Sequence, residues 1–288
     1  MSKDKAPKRD LEKTIHREFG KSKTRETYSD FLQLDVLLNI QNTFTTPPQR
    51  DELLFIMIHQ ISELWLKLAY SELGEIRSLI QKDDLNRTIK TIGRVKTIQE
   101  QLINSWKVLL TMTPTDYKDF RDSLGQSSGF QSWGYRLVEY AMGNRDNSYL
   151  AVHKHDPEVI EKLNAELAKP SIYDCVIHLL ARNGFPVDDD LLNRDKSQSY
   201  LSDPRIVDIW HTIYTKPDAH WALYNLGESL MDMETLFQQW RFSHVRTVER
   251  IIGGQSGTGG SSGVEFLERA LKLKCFPDLY ALRDRILN

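Results

Sequence analysis

The chain has 288 residues, 40% of them hydrophobic, with 38 basic and 40 acidic side chains. A chain this long buries roughly 75% of the surface its unfolded form exposes, enough for one large domain or two small ones. The near balance of charge argues against a sequence-tolerant polyanion binder, and two distant cysteines, Cys175 and Cys275, argue against a disulfide framework or cysteine zinc site.

Residues 1–26 are charged and almost without large apolar side chains, which reads as a mobile arm. They lack the apolar core of a signal peptide, and their interspersed acids do not suit a transit peptide, so a cytoplasmic location is expected. No apolar run approaches the roughly 20 residues that a membrane helix needs. From residue 27 the pattern is helical almost throughout. "TYSDFLQLDVLLNIQN" reads as one amphipathic helix, and "FTTPPQ" as the turn after it. "RDELLFIMIHQISELWLKLAYSELGEIRSLIQK" is a long, very apolar second helix. "DLNRTIKTIGRVKTIQEQLINSWKVLLTM" is a third, with Ile89, Ile92, Val95, Ile98 and Leu102 on one stripe.

"TPTDYKDFRDSLG" opens with Thr113 as N-cap and Pro114 at the first helical position. The Ser/Gly loop "GQSSG" leads into "FQSWGYRLVEYAMGN". Shorter helices follow over 151–203, then "DPRIVDIWHTIYT" and a long helical run over 217–252. Strand alternation is scarce. The fold class is all-α, with a single helical domain over 27–288.

"GGQSGTGGSSG", residues 253–263, has the composition of a flexible linker. It nevertheless lies between two helical patterns, where glycines would let backbone approach a small molecule closely. A plain surface loop is the competing reading.

His59 stands in the apolar run "LLFIMIHQISELW", and His244 in "QQWRFSHVRTVERII". A buried histidine most often only satisfies a hydrogen bond. The sharper reading is that each faces a buried prosthetic group, since a haem iron needs one axial imidazole and apolar walls. His153 and His155 in "AVHKHD" read as solvated. Phe55 and His59, and likewise Tyr117 and Arg121, are four apart and so share a helix face. An arginine fork holds a carboxylate bidentately, although Arg121 could equally be a surface residue paired with Asp119 or Asp122. Ser128, Thr258 and Ser261 could add hydroxyls to a polar pocket, or be ordinary turn residues.

These stretches resemble the tryptophan 2,3-dioxygenase family. The carrying segments are "TYSDFLQLDVLLNIQ", "DELLFIMIHQISELWLKL", "TPTDYKDFRDSLGQSSGFQS", "WRFSHVRTVERIIG" and "GTGGSSGVEFL", in the family's order from about Thr27 onward. The resemblance implies an all-helical homotetramer with one haem b per subunit, ferrous when active, in a pocket between long buried helices. It implies insertion of both atoms of O2 into the indole C2–C3 bond of L-tryptophan to give N-formyl-L-kynurenine, the first step of the kynurenine pathway.

Carried over by motif, His244 matches the axial iron ligand, and His59 the distal histidine that hydrogen-bonds the indole nitrogen. Phe55 matches the aromatic packed on the indole. Tyr117 matches a pocket tyrosine, and Arg121 the clamp on the substrate carboxylate. Ser128 lines the pocket in this reading, and Thr258 contacts the amino-acid end. Tyr28 falls where the family's N-terminal segment reaches a neighbouring subunit's pocket. Phe31 stands where tyrosine is expected in close bacterial relatives, which removes a hydroxyl. The resemblance also makes the glycine loop a substrate-closing element. A dioxygenase for another indole, a haem carrier or gas sensor, and a helical scaffold are the alternatives.

Overall fold

The computed structural model describes residues 27–258 and 262–287. The expected arm over 1–26 and the candidate Ser261 lie outside the described residues. Two compact units are distinguished, Met1–Asn42 and Thr43–Asn288. Among the described residues there are helices and no strands.

In the N-terminal unit the single helix read from the sequence is two, α1 (Tyr28–Leu32) and α2 (Leu34–Leu37). Thr27 starts α1 through a capping box with Asp30. Gln33 ends it in the left-handed region, φ 51°, where its N–H still reaches the carbonyls of Ser29 and Asp30. That cap satisfies orphaned carbonyls but re-aims the chain, a geometry that a hydrophobic pattern does not encode. Tyr28 and Phe31 are 75% and 76% exposed.

The second unit contains α3 (Arg50–Gln81), α4 (Leu85–Leu109), α5 (Pro114–Arg121), α6 (Trp133–Met142), α7 (Pro157–Leu167), α8 (Ile172–Arg182), α9 (Asp189–Leu192), α10 (Pro204–Thr215), α11 (Trp221–Ile252), α12 (Val264–Ala270) and α13 (Pro277–Ile286). Both α3 and α11 pack along α4. Asp83, at φ 58°, turns the chain between α3 and α4, and Asp84 caps α4 by accepting from the Arg87 N–H at 3.1 Å. Leu73, Ile76 and Ile80 of α3 meet Ile92, Val95, Ile98 and Leu102 of α4 and Leu226, Leu230, Met233 and Phe237 of α11 in one buried cluster. Each such side chain contributes roughly 1.5–3 kcal/mol by leaving water. Ile89, on the stripe read from the sequence, is only half-buried.

This packing fills only one end of the three-helix layer. Toward the start of α3 and the ends of α4 and α11, aromatic and polar side chains replace the aliphatic stripe. Leu53, Met57, Ile61, Leu64 and Leu68 recur every three or four residues along α3, yet each is exposed. By length and composition α3 is also long and apolar enough to cross a membrane, contrary to the reading from apolar runs, although core helices of soluble proteins pass the same test. The sequence reading assigned nothing to α13, which Pro277 starts. Its buried Asp278 accepts from the Tyr173 hydroxyl, the Ser202 hydroxyl and the Asp203 N–H, each at 2.8 Å.

Candidate active site

The unfilled end encloses a cavity of about 520 Å³. Phe55, His59, Tyr117, Ser128, His244 and Thr258 all line it. The one-turn spacing of Phe55 and His59 on α3 puts their rings 4.1 Å apart. The Phe55 carbonyl lies 2.7 Å from His59 Nδ1. A carbonyl only accepts, so Nδ1 carries the proton and Nε2 keeps a lone pair. Tyr117 of α5 packs against the same Phe55 ring at 6.1 Å and edge-on to Phe120 at 5.4 Å.

His244 enters from α11 with its imidazole stacked on Trp106 of α4, centroids 4.6 Å apart. Burial, and the positive charge that His59 would carry, push the His244 imidazole down to about 4. Burial also lowers His59, with its backbone hydrogen bond working the other way. Both rings are therefore neutral near pH 7, with lone pairs available for a metal or a donor. Among the described residues no three of His, Cys, Asp and Glu converge on a metal site.

A cationic cluster forms another part of the cavity wall. Arg136 of α6 and Arg241 of α11 both pair with Glu139, and all three are almost fully buried. Arg241 Nη2 donates to Glu139 Oε1 at 2.7 Å, and its Nε donates to the Tyr135 hydroxyl at 3.0 Å. The buried Glu234 also acts on Arg241, so Glu139 and Glu234 together balance the two guanidiniums, which still present N–H donors to an anionic ligand. Nearby, Glu63 accepts from the Ser132 hydroxyl at 2.5 Å, and burial raises its carboxyl above the usual range against that hydrogen bond. Ile58, Leu109, Met112, Val248 and Ile251 add apolar wall. A neutral imidazole, aromatic and apolar side chains, and the guanidinium donors of Arg136 and Arg241 together fit a flat, largely apolar group bearing carboxylates.

Gly257, Thr258 and Gly263 of the glycine-rich segment line this cavity. Gly253 and Gly263 have φ of +58° and +61°. A Cβ on Gly263 would meet the Gln255 carbonyl oxygen at 2.7 Å, so the loop closes on its own base only with glycine there. The Thr258 hydroxyl donates to the Ser127 carbonyl, joining this loop to the "GQSSG" loop. The described residues of the segment thus lie against the cavity and the neighbouring loop, which the linker reading of its composition does not predict.

Two candidates are placed differently. The Arg121 side chain is not part of the cavity wall. Its Nη2 donates to the Ser256 carbonyl at 2.8 Å, two residues before Thr258, and not to Asp119 or Asp122. Its charge nonetheless opposes the burial that raises the Tyr117 phenol. Tyr28 belongs to the N-terminal unit. Ser128 spends its hydroxyl oxygen accepting from the Phe130 N–H at 3.3 Å as the N-cap of a short turn, which leaves its proton free to donate.

The tryptophan 2,3-dioxygenase family model matches residues 12–182 and 167–286. A tryptophan 2,3-dioxygenase of Bacillus cereus is 46% identical over 276 residues, 96% of this chain and 97% of its own. The chain belongs to the tryptophan 2,3-dioxygenase family. Other similar members are those of Shewanella woodyi, 46% identical over 281 residues and 96% of each chain, and Bradyrhizobium diazoefficiens, 46% identical over 259 residues, 90% of this chain and 92% of its own.

Within this family member, sequence reasoning missed Trp106, Tyr135, Arg136, Glu139 and Arg241. Spacing offered a hint for Arg241, three residues before His244, and for Glu63, four after His59. His153 needs correction. It is buried, and burial and the nearby Arg136 lower its imidazole, whereas its polar neighbours had suggested a solvated position.

Proposed function

We infer that this chain is a tryptophan 2,3-dioxygenase, acting on L-tryptophan and O2 to give N-formyl-L-kynurenine in the cytoplasm. The supporting observation is the convergence of Phe55, His59, Tyr117, Ser128, Thr258 and His244 on one cavity in a member of this family. Residues 27–288 act as one dioxygenase domain in this reading. His244 would hold the iron of a single haem b per subunit, and Arg136 and Arg241 would donate to its carboxylates. Ferrous haem, when bound, supplies the redox chemistry that brings dioxygen to the indole.

The chain's own groups orient the substrate. His59 Nε2, kept as an acceptor by the Nδ1 bond to Phe55, receives the indole N–H, and the Phe55 ring lies against the indole face. Arg121 exchanges the Ser256 carbonyl for the substrate carboxylate, while Thr258 and Ser128 hold the amino-acid end. Because Arg121 and Thr258 both bond loop backbone, substrate binding and loop position are coupled. The apolar walls exclude water, so orientation carries more of the work than proton transfer does. The indole C2–C3 bond is cleaved, and each carbon gains one oxygen as a carbonyl. An amino-acid clamp favours this reading over a gas sensor, which has no need of one.

The exposed apolar stripe on α3 supports the homotetramer, as the face that another copy covers instead of lipid. Tyr28 then serves a neighbouring subunit's pocket. Nucleic acid and membrane have no part in the reading. Titration of the purified apoprotein with haem tests it: saturation at one equivalent per chain, with an absorption spectrum that shifts on adding L-tryptophan, is expected. A protein that takes up no haem contradicts it.

A further inference from the structure

An iron-binding histidine is usually oriented by a hydrogen bond on its second ring nitrogen. Among the described residues, neither ring nitrogen of His244 has such a partner. Rotation about the bond to an aromatic ring is broad and weakly restrained by itself. Among the described residues, what bears on the His244 ring plane is packing.

The packing is specific. Trp106 lies 4.6 Å from the imidazole centroid and only 10° from parallel. Trp240 closes another side at 6.0 Å and 41°, and the two indoles are themselves 5.8 Å apart. The Trp106 indole N–H is buried and has no acceptor among the described residues. An unsatisfied buried donor destabilises a fold, and phenylalanine would fill much of the same space without one. What the indole adds is a flat face broad enough to cover the whole imidazole.

Resting on the haem reading above, we propose that Trp106 is a positioning residue that fixes the His244 ring plane by stacking, in place of a hydrogen-bonded support. It acts through His244 and touches no reacting atom.

The test compares haem-loaded wild type with Trp106→Phe and Trp106→Leu by three readouts. These are the iron–histidine stretching band of the ferrous, substrate-free protein, the rate of haem loss to a scavenger, and the thermal midpoint of the apoprotein. Trp106→Phe is expected to broaden or shift the band while the midpoint stays at or above that of wild type, since the orphaned donor is gone. Trp106→Leu is expected to change the band further and to speed haem loss about 10-fold, the lower end of what removing a ligand's supporting contact costs. An unchanged band and unchanged haem loss in the Trp106→Phe protein overturn the proposal. So does a lowered midpoint with an unchanged band, which marks a purely structural residue. Wild type that holds no haem overturns the haem reading and this proposal together, whereas intact wild-type holoprotein with silent variants overturns the proposal alone.

Discussion

Arg121→Ala is expected to raise KM for L-tryptophan between about 10- and 100-fold, the loss of one or two charge-assisted hydrogen bonds, with haem content unchanged. The separation follows from placement. Arg121 stands beside the cavity with its guanidinium on the Ser256 carbonyl, so its removal takes nothing from the wall that receives the haem. A backbone carbonyl is a modest partner for a guanidinium, and a carboxylate replaces it with a bidentate, charge-assisted pair. Arg121→Lys keeps the charge but not the fork, and should recover only part of the affinity. Steady-state kinetics beside the haem absorbance of the same samples decides. Equal loss of tryptophan and haem binding would contradict the clamp.

His244→Ala is expected to weaken haem binding by more than the roughly 10- to 100-fold that loss of a supporting contact costs, because it removes the iron's own ligand. The fold should tolerate the change better than the cofactor does. No hydrogen bond from the described residues depends on the imidazole, and of the core cluster of α3, α4 and α11 only its edge at Trp240, with Trp106 packed on it, meets the ring. Added imidazole should restore haem binding to the variant by filling the vacated space. Full haem content with an unaltered spectrum, measured by absorbance after gel filtration, would show that the iron is held elsewhere.

The features legible in the sequence are those written into local spacing. Thr113, Pro114 and Asp116 announce α5 through a capping box and a first-turn proline, and the structure starts the helix there. Phe55 with His59, and Tyr117 with Arg121, are one turn apart, so any helix places each pair on one face. The run around His59 is apolar enough to single that histidine out. Legibility fails where the cause is not local. Gln33 breaks a continuous amphipathic pattern because its backbone adopts a cap, for which glutamine gives no signal. Glu139 and Arg241 are 102 residues apart, and only the packing of α6 near α11 makes them partners. His153 sits among Lys154, His155 and Asp156 yet is 4% exposed, because tertiary packing covers it. The composition of α3 reads as a mostly buried helix, yet Leu53, Met57, Ile61, Leu64 and Leu68 are exposed in the single chain. The family motifs carried the order of the site residues, while the cationic wall and the Trp106 stack came only from three dimensions.

The central claim is that this cavity directs both atoms of dioxygen into L-tryptophan, and isotope labelling addresses it most directly. Reduced, haem-loaded protein is supplied with L-tryptophan under ¹⁸O2, and the product is weighed by mass spectrometry under conditions that prevent exchange with water. The account predicts N-formylkynurenine formed over many turnovers with both new oxygens labelled. A product carrying a single label, or none formed by protein that holds its haem, would contradict it.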